Sequence, residues 1–236
     1  FKSNQNNIFL EFTATVELDH PSVAKKYYDK ILYNYSLKEF RQDGFSKEVK
    51  VLRADLTPLE RALQSLILSQ YRRKVAEKYK LPLKPVIMMK SKTIEESKDV
   101  EKLFIGTIKN LKVKDLEKIK NQTASQVIKK AFSYFEENGI TLDNLVKEFK
   151  EDFGEDKCLS INSKEDNEEK QLIVNSLEDN NNEYRIIFAV NKLNEGWDVL
   201  NLFDIVRLYE TRDSRAGRPG KTTIAEAQLI GRGARY

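Results

Sequence analysis

The chain has 236 residues, of which 41 are Lys or Arg and 37 are Asp or Glu, and 40 % are apolar. At roughly 150 residues per domain, this length allows one large domain or two small ones. The sequence lacks the run of about 18 apolar residues that a membrane-spanning helix needs and the layout of a secretory signal, so a soluble protein with no membrane partner is predicted. A single cysteine excludes an internal disulfide framework and favours a cytoplasmic location.

The low counts of histidine and cysteine exclude several kinds of catalytic site. His20 and Cys158 occur once each, so a Cys/His zinc site cannot be built from them. His20 precedes Pro21 in a polar stretch and is predicted to lie in a turn. Cys158 lies in an apolar run and is predicted to be a buried structural thiol. No metal site is expected.

Strand and helix patterns alternate along the chain. Apolar runs predict strands at 8–15, 31–35, 49–53, 86–90, 157–162, 185–191 and 204–209. Helical spacing of apolar residues predicts helices over 57–81, across 94–153 with breaks at 110, 121–122 and 138–139, over 168–177, and from 222 onward. This alternation predicts an α/β fold built on a parallel sheet.

The helix that begins near residue 58 has the clearest start signal. Thr57 can cap it, Pro58 suits the first helical position, and Glu60 completes a capping box. Its end is predicted at Leu81-Pro82, because proline cannot continue a helix.

Polar residues follow two of the predicted strands. Ligands of parallel α/β sheets bind beyond the carboxyl ends of the strands, so these residues are candidates for a site. The strand 86–90 leads to Ser91 and Lys92, a hydroxyl and an ammonium group suited to a nucleic-acid backbone. The strand 185–191 leads to Gly196, which permits a tight turn, and to Asp198, which can orient another group or reach a ribose hydroxyl.

The last predicted helix carries the strongest local signal. Gln228, Arg232 and Arg235 fall at i, i+4 and i+7, so they project from one face. Gly231 and Gly233 each cost about 1 kcal/mol of helix stability relative to Ala, which predicts that another surface approaches closely. One amide and two guanidinium groups suit phosphate oxygens, as in an arginine finger. An exposed basic helix end is the alternative.

The excess positive charge is concentrated at the C-terminal end. Residues 207–236 contain seven basic and three acidic side chains, which equals the net charge of +4 for the whole chain. Six of these basic residues are arginines, and arginine binds phosphate in a bidentate manner. This bias indicates a surface that faces phosphate, with a solvated basic face as the alternative.

One segment has part of a P-loop pattern. Gly220-Lys221-Thr222 lies between a predicted strand and a predicted helix. The full motif requires its first glycine at position 215, where this chain has Arg215. A basic mobile loop over 212–221 is the simpler interpretation, and a self-contained P-loop enzyme is an alternative.

Taken in order, the segments resemble the motor of superfamily 2 nucleic-acid helicases and translocases. Thr13-Ala14-Thr15 resembles motif III, the strand 86–90 with Ser91 resembles motif IV, and 194–198 (Asn-Glu-Gly-Trp-Asp) resembles motif V. Residues 228–235 match motif VI, the Gln-x-x-Gly-Arg-x-x-Arg pattern. Motif VI with motif V upstream is the specific part of this resemblance.

Particular segments narrow the resemblance to the restriction (Res) subunit of type III restriction–modification enzymes; they are 10–15, 68–72, 90–93 and 194–198. The family implies two RecA-like lobes that bind ATP and Mg²⁺ between them and double-stranded DNA across their tops. A modification (methyltransferase) subunit is a further implied partner.

The resemblance also implies a division of the chain. Residues 1–16 would be the last strand of the first lobe and the start of a linker. Residues 17–236 would be the second lobe, with a helical insertion around 94–153. The P-loop and acidic motif of the first lobe and the nuclease domain that follows the motor are not in this sequence, so this fragment alone is expected to be inactive.

Roles for individual residues follow from the resemblance. Arg232 and Arg235 would face the γ-phosphate of ATP, with Gln228 near the attacking water. Five residues would couple nucleotide state to the lobes and the DNA: Gly196, Asp198, Gly231, Thr13 and Thr15. Two would contact the DNA backbone: Ser91 and Lys92. A nucleic-acid-binding module without nucleotide chemistry is the alternative function.

Overall fold

The computed structural model describes residues 8–13, 16, 18–52, 56–161, 168–190, 199–209, 214–215, 218–219, 226, 229–231 and 233–234. The chain divides into two compact units, Phe1–Asp43 and Gly44–Tyr236. The sequence predicted a boundary between two lobes at residues 16 and 17. The division into compact units does not test which lobe each part belongs to, so that boundary stays a prediction.

The described residues of the first unit form two short helices, α1 (Pro21–Tyr27) and α2 (Leu37–Gln42). α2 begins with a capping box in which the Ser36 hydroxyl accepts a hydrogen bond from the Glu39 backbone N–H at 3.2 Å. His20 lies in the turn before α1, as predicted, and its ring is 2.7 Å from the Ser22 hydroxyl.

Three of the predicted strands are wrong over their described residues. Residues 8–13, 31–35 and 49–52 form no strand. Their apolar side chains are exposed apart from the partly buried Val49, with 91 % of Phe12 accessible. An apolar pattern produces a strand only where a neighbouring strand satisfies its backbone N–H and C=O groups, and the described residues supply none to these segments.

The second unit is built on a parallel sheet of four strands in the order β2-β3-β1-β4. These strands are β1 (Val86–Lys90), β2 (Cys158–Ile161), β3 (Ile186–Ala189) and β4 (Leu202–Arg207). The predicted α/β class is therefore confirmed, and the sheet is consistent with a RecA-like lobe. A short antiparallel pair, β5 (Ser214–Arg215) and β6 (Arg218–Pro219), lies outside this sheet.

The helices of the second unit confirm the predicted starts near 57, 94 and 168 and the predicted breaks at 110, 121–122 and 138–139, while the start predicted at 222 lies outside the described residues. They are α3 (Pro58–Lys78), α4 (Ile94–Asn110), α5 (Val113–Gln122), α6 (Gln126–Glu137), α7 (Leu142–Asp152) and α8 (Glu168–Asn175), with a 3-10 turn at Glu155–Lys157. The Thr57 side chain accepts a hydrogen bond from the Glu60 backbone N–H at 3.3 Å, while Glu60 accepts one from the Thr57 N–H at 3.0 Å.

Alternate residues of each strand enter two separate cores. Ile87 and Met89 of β1 face a core that they share with α3 and α4–α7. Val86 and Met88 face the opposite core, to which α8 and Leu229 contribute. Helices from the 94–153 region therefore pack directly on the sheet: the Phe104 ring of α4 lies 5.7 Å from the Phe188 ring of β3.

A buried arginine joins the sheet to this helical layer. Arg185, which is 3 % exposed, donates hydrogen bonds to the Pro85 carbonyl at 2.9 Å and to the Ser69 hydroxyl at 3.1 Å. Its guanidinium also lies 3.6 Å from the Asp152 carboxylate at the end of α7. Burial lowers the pKa of Arg185 to about 10, while Asp152 raises it. The arginine therefore stays charged at neutral pH and ties α7 to β3.

The single cysteine packs against the helical core, although it is only partly buried. The Cys158 Sγ lies 3.4 Å from the Gly154 carbonyl. Burial raises the pKa of Cys158 to about 12. The predicted structural role of this thiol fits its position at the start of β2.

Candidate functional site

The predicted site residues divide into described and undescribed groups. Six of them lie outside the described residues: Thr15, Gly196, Asp198, Gln228, Arg232 and Arg235. Four are described: Thr13, Ser91, Lys92 and Gly231. Thr13 is exposed in the first unit, and the other three belong to the second unit.

Ser91 and Lys92 follow the carboxyl end of β1. Ser91 is 2 % exposed, and its hydroxyl has no hydrogen-bond partner among the described residues. Its backbone N–H donates to the Ala189 carbonyl of β3 at 3.1 Å. Lys92 is exposed, and its backbone N–H donates to Glu96 at 3.2 Å. The DNA contact of both residues stays a prediction.

The C-terminal segment, defined here as the described residues 226, 229–231 and 233–234, packs against β4. Leu229 is 1 % exposed in the core on that face of the sheet. A Cβ atom at Gly233 would lie 3.2 Å from Leu202 Cδ2, whereas one at Gly231 would meet no atom within 4 Å. Leu202 therefore approaches Gly233 closely, whereas the described residues place no atom near Gly231, where the approach of another surface stays a prediction.

Contacts at its two ends place the C-terminal segment antiparallel to β4. Glu226 contacts Tyr209, just beyond the carboxyl end of β4. Gly233 contacts Leu202 at the first position of β4. The C-terminal segment, which includes Gly231 of the motif VI pattern, is consequently held at both ends of this strand.

A cluster of charged and polar side chains surrounds Glu226 at the carboxyl end of β4. The Tyr209 hydroxyl donates a hydrogen bond to Glu226 at 2.5 Å, and the Arg207 guanidinium lies 3.6 Å from the same carboxylate. Lys90, the last residue of β1, is 4 % exposed. Burial lowers the pKa of Lys90, and the charge of Glu226 raises it.

A second cluster lies at the amino end of β4. Lys47 donates hydrogen bonds through its ammonium group to the backbone carbonyls of Leu200, Leu202 and Gly233. The Lys47 backbone N–H donates to the Ala234 carbonyl at 2.7 Å. Burial lowers the pKa of Lys47 to about 8, while Glu178 raises it and Arg72 lowers it further.

An ion pair anchors β4 to α3. Arg72 donates a hydrogen bond to Asp204, and its guanidinium lies 5.7 Å from the centre of the Phe203 ring. Burial raises the pKa of Asp204, whereas Arg72 lowers it. Arg61 of α3 also donates to the Arg207 carbonyl at 3.2 Å. Basic side chains therefore donate hydrogen bonds to backbone carbonyls along β4, which is an edge strand of the sheet. The backbone groups of an unprotected edge strand can pair with other chains.

An open cleft of about 1210 Å³ runs beside β4. Its walls come from α3, α6, residues 47–52, the end of β1, β4 and the C-terminal segment. Among the described residues, seven Lys or Arg side chains and three Asp or Glu side chains line it. A cleft with this excess of positive charge attracts anions.

Two further kinds of feature are absent from the part of the chain that the structure describes. It contains no helix with the length and apolarity needed to cross a membrane. It also contains no group of three or more His, Cys, Asp or Glu side chains placed to hold a metal ion.

The fold and the site together define the class of protein: an α/β lobe, consistent with RecA-like lobes, with a basic cleft beside an edge strand. Comparison with known sequences identifies a specific relative. The chain is 36 % identical over 224 residues to the probable type III restriction-modification enzyme HindVIP Res subunit of Haemophilus influenzae. That match includes 86 % of this chain and 43 % of the Haemophilus protein.

This similarity confirms the resemblance that the motifs indicate, so the chain is related to part of a type III Res subunit. It spans less than half the length of that relative. No protein-family model matches the chain, and no solved structure matches it.

Several residues of the site were missed by the sequence analysis. Glu226 lies outside the Gln-x-x-Gly-Arg-x-x-Arg pattern, and Lys47 has no motif around it. Residues 68–72 contribute to the resemblance, but their pattern does not predict that Arg72 pairs with Asp204.

Proposed function

We propose that the chain is the second RecA-like lobe of an ATP-dependent DNA translocase, the restriction subunit of a type III restriction–modification enzyme. In this proposal Arg232 and Arg235 act as arginine fingers on the γ-phosphate of ATP, with Gln228 beside them. Double-stranded DNA and a modification subunit are the partners, and cleavage of DNA belongs to the full-length protein.

The observation that carries the proposal is the attachment of the C-terminal segment to β4. Leu229 and Gly233 pack against the sheet, and Glu226 is bonded to Tyr209. Arginine fingers are effective only when their position is defined, because transition-state stabilisation depends on donors already aimed at the developing charge. A segment attached at Glu226 and Gly233 supplies that definition for Gln228 and Arg232, which lie between these two residues, and Arg235 follows two residues after Gly233.

The charge of the cleft beside β4 supports a polyphosphate ligand. Its described lining has more basic than acidic side chains. ATP supplies the transferable γ-phosphoryl group when bound, and the first lobe would hold most of the nucleotide and its Mg²⁺. Placing the arginines on a second lobe makes hydrolysis depend on closure of the two lobes, which converts turnover into movement along DNA.

The test is substitution of either arginine in the full-length protein. Arg232→Ala and Arg235→Ala should each lower DNA-stimulated ATP hydrolysis by about 10³-fold or more, with DNA binding largely kept. Arg41→Ala, on the exposed surface of α2, is the matched control and should retain full activity. Full turnover in both finger variants would refute the assignment.

A binding module without nucleotide chemistry is the second function to be tested, since the basic cleft suits nucleic acid as well. It predicts that DNA binding by the full-length protein is the same with and without ATP. A self-contained P-loop enzyme predicts instead that this 236-residue chain binds nucleotide and that Lys221→Ala abolishes the binding.

A further inference from the structure

Lys47 connects three parts of the second unit that are distant in sequence. It lies in residues 44–52, which contain no helix or regular strand. Its ammonium group contacts one carbonyl just before β4, one in β4 and one in the C-terminal segment: those of Leu200, Leu202 and Gly233. The bonds to Leu202 and Gly233 measure 3.2 and 3.0 Å.

The chemistry of lysine matches this arrangement. An ammonium group has three N–H donors and no acceptor, and here all three meet backbone carbonyls. Carbonyls in the last turn of a helix lack intrahelical partners and carry partial negative charge, so a cation beside Gly233 stabilises the end of the helical residues. An uncharged side chain of the same length would leave these carbonyls without the charged donor.

The surroundings of Lys47 further define its position. The ammonium lies 4.4 Å from the centre of the Phe203 ring, a distance at which a cation is attracted to the face of an aromatic ring. Arg72 contacts the same ring and is held by Asp204. The Lys47 backbone N–H also binds the Ala234 carbonyl at 2.7 Å, so both the main chain and the side chain of this residue contact the C-terminal segment.

We propose that Lys47 is a positioning residue, which sets the register of the C-terminal segment on β4 and thereby the placement of Arg232 and Arg235. Lys47 acts through the backbone carbonyls of the segment and does not contact the nucleotide. The effect of Lys47 on the two arginines rests on the proposed function, whereas its effect on the register of the C-terminal segment does not.

The first experiment measures the segment itself, by hydrogen–deuterium exchange of the full-length protein. Lys47→Met should raise exchange in the peptide covering residues 229–236 by about tenfold or more and leave the β1 peptide (86–90) unchanged. Lys50→Met is the matched control, because Lys50 is on the same stretch, is 58 % exposed and is paired with Glu48 at 3.2 Å. It should change neither peptide.

Two results of this experiment would overturn the proposal. One is unchanged exchange at residues 229–236 in Lys47→Met; the other is an equal rise in both peptides, which indicates general loss of stability. Lys47→Arg keeps the charge but has a planar fork in place of three convergent donors, so its exchange should lie between those of the wild type and Lys47→Met. It also provides a folded variant if Lys47→Met does not fold.

The second experiment measures DNA-stimulated ATP hydrolysis. Lys47→Met should lower kcat by about tenfold or more while the KM for ATP and the affinity for DNA stay within about twofold. Lys98→Met, exposed on α4, should keep wild-type kcat. If Arg232→Ala keeps its turnover, the proposed function is contradicted and the role of Lys47 in the segment is not. If Arg232→Ala is inactive but Lys47→Met keeps the wild-type kcat, the role of Lys47 is contradicted and the proposed function is not.

Discussion

The two faces of the parallel sheet are covered in different ways. α3 and α4–α7 cover one face, where Phe104, Phe135 and Phe149 are fully buried. On the other face, the buried core members that the structure describes are aliphatic apart from Met88, and they come from the strands, α8 and short stretches such as Val199 and Leu229. We call the first face, with its aromatic core, the thick face, and the second, with its smaller aliphatic core, the thin face.

The difference shows how a candidate functional segment is held. On the thin face, polar contacts at both ends supplement the burial of Leu229: Glu226 with Tyr209, and Lys47 with Gly233. A hydrogen bond adds only about 0.5–1.5 kcal/mol net, but it is directional. Such contacts therefore define position more than they add stability, whereas the thick face supplies most of the apolar burial.

The largest effect is expected from truncation on the thick face. Phe104 is fully buried against Phe188, so Phe104→Ala should reduce the free energy of unfolding by about 3–5 kcal/mol. The neighbouring Leu103 is 56 % exposed, and Leu103→Ala should have little effect. Urea denaturation measures both. Equal losses in the two variants would contradict this description of the thick face.

A smaller effect is expected from truncation on the thin face. Leu229→Ala should cost about 2 kcal/mol, because the neighbouring open cleft lets the surroundings relax around the missing side chain. Ile230→Ala is the control, since Ile230 is only partly buried. The same denaturation experiment compares them, and a loss for Leu229→Ala above that for Phe104→Ala would reverse the comparison of the faces.

The two glycines of the C-terminal segment are expected to respond differently to alanine. Gly231→Ala should raise the free energy of unfolding by about 0.5–1 kcal/mol, because alanine favours helix and the site is open. Gly233→Ala should not raise the free energy of unfolding, because the added Cβ would lie too close to Leu202, which is 2 % exposed. Thermal denaturation separates the two, and equal shifts would argue against close packing on β4.

The last prediction concerns the reactivity of the Cys158 thiol, which lies beside the thick face. Burial raises the pKa of Cys158 from its usual 9.0 to about 12, and only the thiolate reacts. Alkylation by iodoacetamide at pH 8 should therefore be up to about 10³-fold slower in the native protein than in urea. The stability linked to this thiol is complete below pH 9 and is lost as the pH rises towards 12.

A native labelling rate close to that in urea would contradict the burial of Cys158. Mass spectrometry of the 158–161 peptide gives the rate directly.

Much of the second unit could be predicted from local patterns. The Thr57 capping box, the breaks at Asn110 and Asn138, and the four core strands depend on residues within a few positions of one another, and all are present. The same patterns failed at 8–13, 31–35 and 49–52, because an apolar run predicts a strand without identifying a partner for it.

By itself, the sequence determined the α/β class, the start of α3, the breaks within 94–153 and the relationship to a type III Res subunit, since each depends on local spacing or on matched residues. It did not predict α1 or α2. Only the tertiary structure decided which polar groups hold the C-terminal segment. Lys47 and Gly233 are 186 positions apart, and Arg72 and Asp204 are 132 apart. Contacts of that separation depend on how the strands are ordered in the sheet, which no local pattern encodes.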